Sequence, residues 1–203
     1  MNSNEEIYQE LKNRIIQNEI TGAISESDLC AKFNISRTPL REAIFRLINE
    51  GWIDYTKNKT KVVKPITLKE LIDIFQIRAD IEIMLLTLSW HNINTAIYQQ
   101  IKHNIQIGLK TKDINLLMSS DNQLHHQLLE DCRNELVIRM LSFIYDRLRM
   151  LRAENPQDNA IFYSSEEHLA ICDAILERDL DKTKQAIENH VNNSKKRLLS
   201  TLS

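Results

Sequence analysis

Four side chains in the second half of the chain have the chemistry and spacing to hold a metal ion. Asp121 and His125 lie four apart and, on a helix, share a face with Leu117, Leu124 and Leu128. His168 shares a face with Ile171, Cys172 and Ile175, and His190 lies beside Ala186 and Ile187. One carboxylate and three imidazoles on inward-facing stripes supply oxygen and nitrogen donors suited to a divalent cation. The competing reading of each histidine is a hydrogen-bonded core residue, and both readings stand at this point. His91, His103 and His126 fall on no such stripe and are expected at solvent or at a domain edge. Two arginines also lie on apolar faces. Arg78 is aligned with Leu71, Ile74, Ile81 and Leu85, and Arg147 with Leu136, Met140, Phe143, Ile144 and Leu151. An arginine directed inward must meet an anion, so both are candidates to hold an anionic ligand. For Arg78 the competing partner is Glu82, four residues on. Arg147 has no such local carboxylate.

A different chemistry is written near the N-terminus. Residues 32–64 hold eight Lys/Arg against three acids, a local excess of +5 in a chain whose net charge is −2. In the run after Ser36, Leu40, Ala43, Ile44 and Leu47 fall within about 100° of a helical wheel, which makes them the buried face. Thr38, Arg41, Glu42 and Phe45 project away, and Arg37 sits one turn before Arg41. Arginines at the start of such a helix can reach base edges in a major groove, where the planar fork matches O6 and N7 of guanine. Lys57, Lys59 and Lys61 follow on a short hairpin and suit phosphate contacts, which position a protein without reading sequence. The competing reading is an ordinary solvated charged helix.

The elements that must position these residues are mostly helices. Three glycines and three prolines in 203 residues disfavour a sandwich, a barrel or a disordered chain. Three cysteines without close spacing disfavour a disulfide framework and fit a reducing cytoplasm. The polar, acidic start is unlike a signal peptide, and the longest apolar stretch, Ile83 to Trp90, is too short to span a bilayer, so no membrane role is expected. Pro65 marks a break, followed by the capping-box pattern Thr67 to Glu70. Before it, helices over about 5–18, from Ser25 or Ser27 to Lys32, and from Ser36 to a stop at Gly51 precede strands near 52–56 and 60–64. That is the order of a winged helix-turn-helix over 1–65. After it, helices over about 67–91, 95–110, 113–131, 135–153, 163–178 and 181–200, with Thr95, Asp113 and Asp181 as caps, predict an antiparallel bundle over 66–203.

Gly22, Glu26, Leu29, Ala31, Phe33, the run ISRTPLREAI from Ile35 to Ile44, and then Leu47, Glu50 and Gly51 resemble the DNA-binding domain of the GntR family of bacterial transcription regulators. By that resemblance Ser36, Arg37, Thr38 and Arg41 contact DNA. Ser27 departs from the pattern, since many members carry Arg there, and the hairpin lacks the glycines that the wing usually contains. Asp121-x-x-Leu-His125-x-x-Leu128, Asn134, Glu167-His168, Ala174, Asp179 and His190 resemble the all-helical (FCD) effector domain of the FadR-type subgroup. In that domain one Asp and three His commonly bind zinc, nickel or a related metal, and a small organic acid often completes its coordination. The resemblance implies a cytoplasmic, homodimeric, ligand-responsive regulator, a repressor rather than an activator, on a double-stranded operator of approximate twofold symmetry. A metal-dependent all-helical enzyme with an appended basic domain is the rival. The sequence lacks a His-Glu-x-x-His pair, a nucleophile elbow and a Gly-rich phosphate loop. A third reading keeps DNA binding and makes the metal structural, or itself the signal.

Overall fold

The computed structural model describes residues 4–154 and 159–200. They form two compact units, one of residues 4–67 with 146–154 and one of residues 68–145 with 159–200.

In the first unit, α1 (Asn4–Ile16) buries Ile7, Leu11 and Ile15, the residues spaced four apart in the sequence. Helix α2 (Glu26–Phe33) starts at Ser25, whose hydroxyl accepts the Asp28 N–H, and ends on Asn34 in the left-handed conformation. Helix α3 (Arg37–Asn49) buries Leu40, Ala43, Ile44 and Leu47 and exposes Thr38, Arg41, Glu42 and Phe45, as the periodicity predicts. Ser36 occupies the position before α3, but its hydroxyl makes no capping hydrogen bond. Gly51, at φ +80°, turns the chain out of α3. Strand β1 (Ile53–Tyr55) pairs antiparallel with β2 (Lys61–Val63), Ile53 opposite Val63 and Tyr55 opposite Lys61. The glycine-free turn closes because Lys59 itself takes φ 60°, while the Thr56 N–H bonds the Thr60 carbonyl at 2.8 Å. A single non-glycine residue in this region is tolerated at modest cost. Trp52 is fully buried at the base of the hairpin.

The second unit is all helix: α4 (Leu68–Ser89) with a 3-10 turn at Trp90–Asn92, α5 (Thr95–Thr111), α6 (Ile114–Glu130), α7 (Glu135–Glu154) as far as Tyr145, α8 (Ala160–Leu176) and α9 (Leu180–Ser200). Asp113 caps α6 as expected, its carboxylate accepting the Leu116 N–H at 3.0 Å. Two other caps differ from expectation. Asn94 rather than Thr95 accepts the first α5 amide, and Asp179 rather than Asp181 accepts the Lys182 N–H. Asn94 is extended, and each of these side chains directly precedes its helix, where an oxygen can reach the free first-turn amides. Helices α5 and α6 approach so closely that a Cβ on Gly108 would lie 2.6 Å from Leu117. Leu71, Leu85, Ile101, Ile105, Leu117, Leu124, Ile175 and Ile187 form part of a closed apolar core around the helices that carry the four candidate ligands.

The last part of α7, from Asp146, belongs with the first unit. Met150 joins its apolar cluster, and the fully buried Arg147 lies over the Trp52 ring at 5.4 Å. Periodicity alone shows which face of α7 is apolar and says nothing of which neighbour covers it.

Candidate functional site

The geometry gathers the first set of residues around one groove. The opening turn of α3 supplies Arg37 and Arg41, and the hairpin supplies Lys59 and Lys61, to a cleft of about 500 Å³ that Glu26 and Tyr55 also line. Arg37, Arg41 and Lys59 are exposed, and Lys61 is half-buried. Glu26 bridges the two elements: Oε2 accepts from Arg41 Nε at 2.8 Å, and Oε1 accepts from the Lys61 ammonium. Those two hydrogen bonds, the one from Lys61 foremost, hold the Glu26 carboxyl below its ordinary range. Ser36 and Thr38 are exposed at the start of α3, and Lys57 is exposed on the turn without lining the cleft. The cleft is thus a cationic surface on a helix N-terminal end and a hairpin, with one carboxylate ordering two of its cations.

In the second unit, α6, α8 and α9 bring His125, His168 and His190 together, each offering a ring nitrogen within 4.8 Å of the others. Asp121 Oδ1 lies 3.6 Å from His168 Nδ1 and 4.0 Å from His125 Nε2. His168 and His190 are buried, and His125 is half-buried. His91, His103 and His126 are exposed.

The surrounding hydrogen bonds fix the state of His190. Its Nδ1 lies 2.9 Å from Glu167 Oε2, and a carboxylate only accepts, so Nδ1 carries the proton. Its Nε2 lies 3.3 Å from Arg78 Nη2, and a guanidinium only donates, so Nε2 accepts. Burial, then the charges of His168, Arg78 and His125, push the His190 pKa well below the ordinary histidine value, so the ring is neutral. Glu167 is itself gripped by both Arg197 Nη atoms, at 2.6 and 2.7 Å. Arg78 is fully buried: its Nε donates to Glu82 Oε1 at 2.5 Å, the bridge that the i,i+4 spacing suggests, and Nη1 reaches Ser194 Oγ at 3.4 Å. The Tyr145 ring lies 4.7 Å from that of His125, and burial followed by the charge of Glu82 raises its phenol pKa well above the ordinary value.

The donor set tests well against a divalent metal. Three imidazoles and a carboxylate are the mixed N and O ligands such ions take, at about 2.0–2.2 Å each, which puts pairs of ligands on one ion about 3–4 Å apart. The carboxylate-to-nitrogen separations already fall there, and a carboxylate behind a ligand histidine is the usual orienting partner. Arg147, by contrast, is not brought to the cluster. Its guanidinium donates to the Lys64 and Pro65 carbonyls at 3.2 and 3.4 Å, so main-chain dipoles in the first unit receive it.

Four residues at the cluster escaped the sequence reading as parts of the site. Glu167 stood inside a motif but carried no role. Arg197 follows His190 by seven residues, two helical turns along the same face, and that spacing was a usable signal. Ser194, four residues after His190, lies on that same face, and Tyr145 had no distinguishing signal.

The family model described as "FCD domain" matches residues 73–193, and that described as "Bacterial regulatory proteins, gntR family" matches residues 3–63. The chain is 26% identical over 170 residues to the Nta operon transcriptional regulator of Aminobacter aminovorans, covering 83% of this chain and 80% of that one. It is 25% identical over 196 residues to the HTH-type transcriptional repressor RspR of Escherichia coli K12, covering 93% and 85%. Among solved structures, E. coli McbR/YncC superposes with a TM-score of 0.81 at 16% identity over the full length of both chains. The Zn2+-bound FCD domain of TM0439 superposes with a TM-score of 0.58 at 20% identity, over 68% of this chain and 98% of that one. These likenesses to solved structures show a shared fold.

Proposed function

The chain belongs to the FCD-domain branch of the gntR family of bacterial regulatory proteins, whose members are transcription regulators rather than enzymes, and from that premise we propose that it is a metal- and ligand-responsive repressor. The observation that carries the DNA half is the convergence of Arg37, Arg41, Lys59 and Lys61 on one exposed cleft. Arg37 and Arg41 read base edges, Ser36 and Thr38 contact the adjoining backbone, and Lys57, Lys59 and Lys61 engage phosphates. The similarity to a named repressor supports repression.

His125, His168 and His190, gathered by the fold, hold a divalent metal together with Asp121 beside them, with zinc or nickel as the expected ion; the zinc-bound FCD structure supports this reading. When bound, that ion supplies a Lewis-acidic anchor for a carboxylate. Arg78 lies beside the cluster and offers a second contact to a small organic acid; Arg147, bonded to main-chain carbonyls elsewhere, serves the first unit's packing instead. The protein works as a homodimer on an operator of approximate twofold symmetry. Supporting that, Leu136, Met140 and Phe143 form an exposed apolar stripe on α7, and Ile77, Met84 and Leu88 form another on α4. Among the described residues no helix is long and apolar enough to cross a membrane, consistent with a cytoplasmic regulator. Effector binding regulates only insofar as it favours one of the DNA-competent and DNA-incompetent states.

The test is a gel shift with operator DNA at two salt concentrations, comparing wild type with Arg37→Ala/Arg41→Ala, together with metal analysis of wild type, His168→Ala and His190→Ala. The reading expects specific binding lost in the first variant and metal content lost in the others. Retained specific binding, or full metal occupancy in both histidine variants, would refute the respective half.

A further inference from the structure

The surroundings of His190 leave one nitrogen for ligation, and that nitrogen is taken. Nδ1 donates to Glu167, whose two oxygens are both held by Arg197, so this side of the ring is committed. The remaining lone pair, on Nε2, accepts from Arg78 Nη2 at 3.3 Å, in a ring whose centroid lies 4.5 Å from that of His168 and 5.8 Å from that of His125. We propose that Arg78 is a latch on the metal centre: its guanidinium and a divalent cation claim the same Nε2 lone pair, so His190 becomes a ligand only when Arg78 lets go. This inference rests on the metal reading given above and adds its regulation.

The latch is built to move without unfolding the site. Arg78 is anchored independently through Nε on Glu82 and through Nη1 on Ser194, and only Nη2 touches His190. Withdrawal of Nη2 turns the planar guanidinium about its contact with Glu82, giving up the hydrogen bond to His190 and loosening the long one to Ser194, while the buried ion pair with Glu82 persists. The freed N–H group then needs an acceptor, because a buried guanidinium donor without one is costly. A carboxylate entering beside the metal provides it. Metal and carboxylate consequently assist each other, each removing the reason for Arg78 to return to His190, and by linkage the coupling is reciprocal. Glu167 and Arg197 act as positioning residues: they hold the ring with Nε2 toward the cluster and so define what the latch competes for.

The experiment titrates Zn2+ into the demetallated full-length protein by calorimetry. Arg78→Met/Glu82→Gln removes the latch and its counter-charge together, leaving the net charge of the site unchanged. Arg78→Lys keeps the charge but lacks the fork that reaches both Glu82 and His190. Both variants should bind Zn2+ about tenfold tighter than wild type, the worth of one modest charge-assisted hydrogen bond. Unchanged or weaker affinity in both overturns the latch while leaving the metal site intact. Absence of Zn2+ binding by wild type overturns the metal reading itself. Independently of any variant, 15N NMR of the demetallated wild type should find His190 protonated on Nδ1, with Nε2 changing most when Zn2+ is added. A proton on Nε2 overturns the latch.

Discussion

Two arginines, Arg41 and Arg78, show how differently the two units use the same side chain. Arg41 is exposed on α3, paired with the single carboxylate of Glu26, and keeps most of its donors toward solvent. Arg78 is fully buried on α4, with Glu82, Ser194 and His190 around its guanidinium. The first unit keeps its charges where a polyanion can displace the water and the weak internal partner. The second spends burial to fix the positions and protonation states of a few polar groups. Exposed ion pairs contribute little to folding and remain free to serve binding, whereas breaking a buried pair leaves an uncompensated charge.

That contrast is sharpest in stability. Arg78→Met should destabilise the protein by about 3–5 kcal/mol, because Glu82 is left buried without its counter-charge. Arg41→Ala should leave the thermal midpoint where it is. Equal losses in calorimetry or chemical denaturation would erase the distinction between the two units. In DNA binding the order reverses. Arg37→Ala and Arg41→Ala should each weaken specific operator affinity roughly tenfold to a hundredfold, as expected for loss of a bidentate base contact, while Arg78→Lys should leave binding of the metal-free protein unchanged.

A finer distinction separates the arginines from the lysines. Lys57→Ala and Lys59→Ala should weaken specific and nonspecific DNA alike, and each should lower the slope of log affinity against log salt by about one. A sequence-selective loss in filter binding at several salt concentrations would move these lysines into the base-reading set. The smallest effect concerns Glu26. Lys61 and Arg41 lower its folded pKa, so its contribution to stability is complete above the unfolded value of about 4.3 and disappears as pH falls through the lowered folded value. Glu26→Gln should lower the melting temperature slightly at neutral pH and converge with wild type as pH falls through the lowered folded value, which flattens the acid limb. An acid limb identical to wild type would show that the bridge between α3 and the hairpin has no energetic weight.

Much of this was legible in the one-dimensional pattern. The buried faces of α1 and α3, the hairpin and the helical second unit follow from residue type and helical spacing, and the same spacing marked His125, His168 and His190, which the fold gathers, with Asp121 beside two of them. The run from Ile35 to Ile44 and the spaced Asp and His residues carry the family resemblance that the domain matches support. The caps at Thr95 and Asp181 were misplaced because several neighbouring polar residues can each accept a first-turn amide, and local backbone geometry chooses among them.

The sequence by itself determined which faces are apolar and which polar groups lie on them, because helix periodicity is a local property of the chain. Only the tertiary structure decided what those groups meet. It sent Arg147, aligned with an apolar stripe like Arg78, to the carbonyls of Lys64 and Pro65 beside Trp52, and Arg78 to His190. It also recruited Glu167, Arg197 and Tyr145 around the histidines. Partners separated by tens of residues are chosen by helix packing, and a buried donor or acceptor takes whichever complementary group that packing brings within about 3 Å.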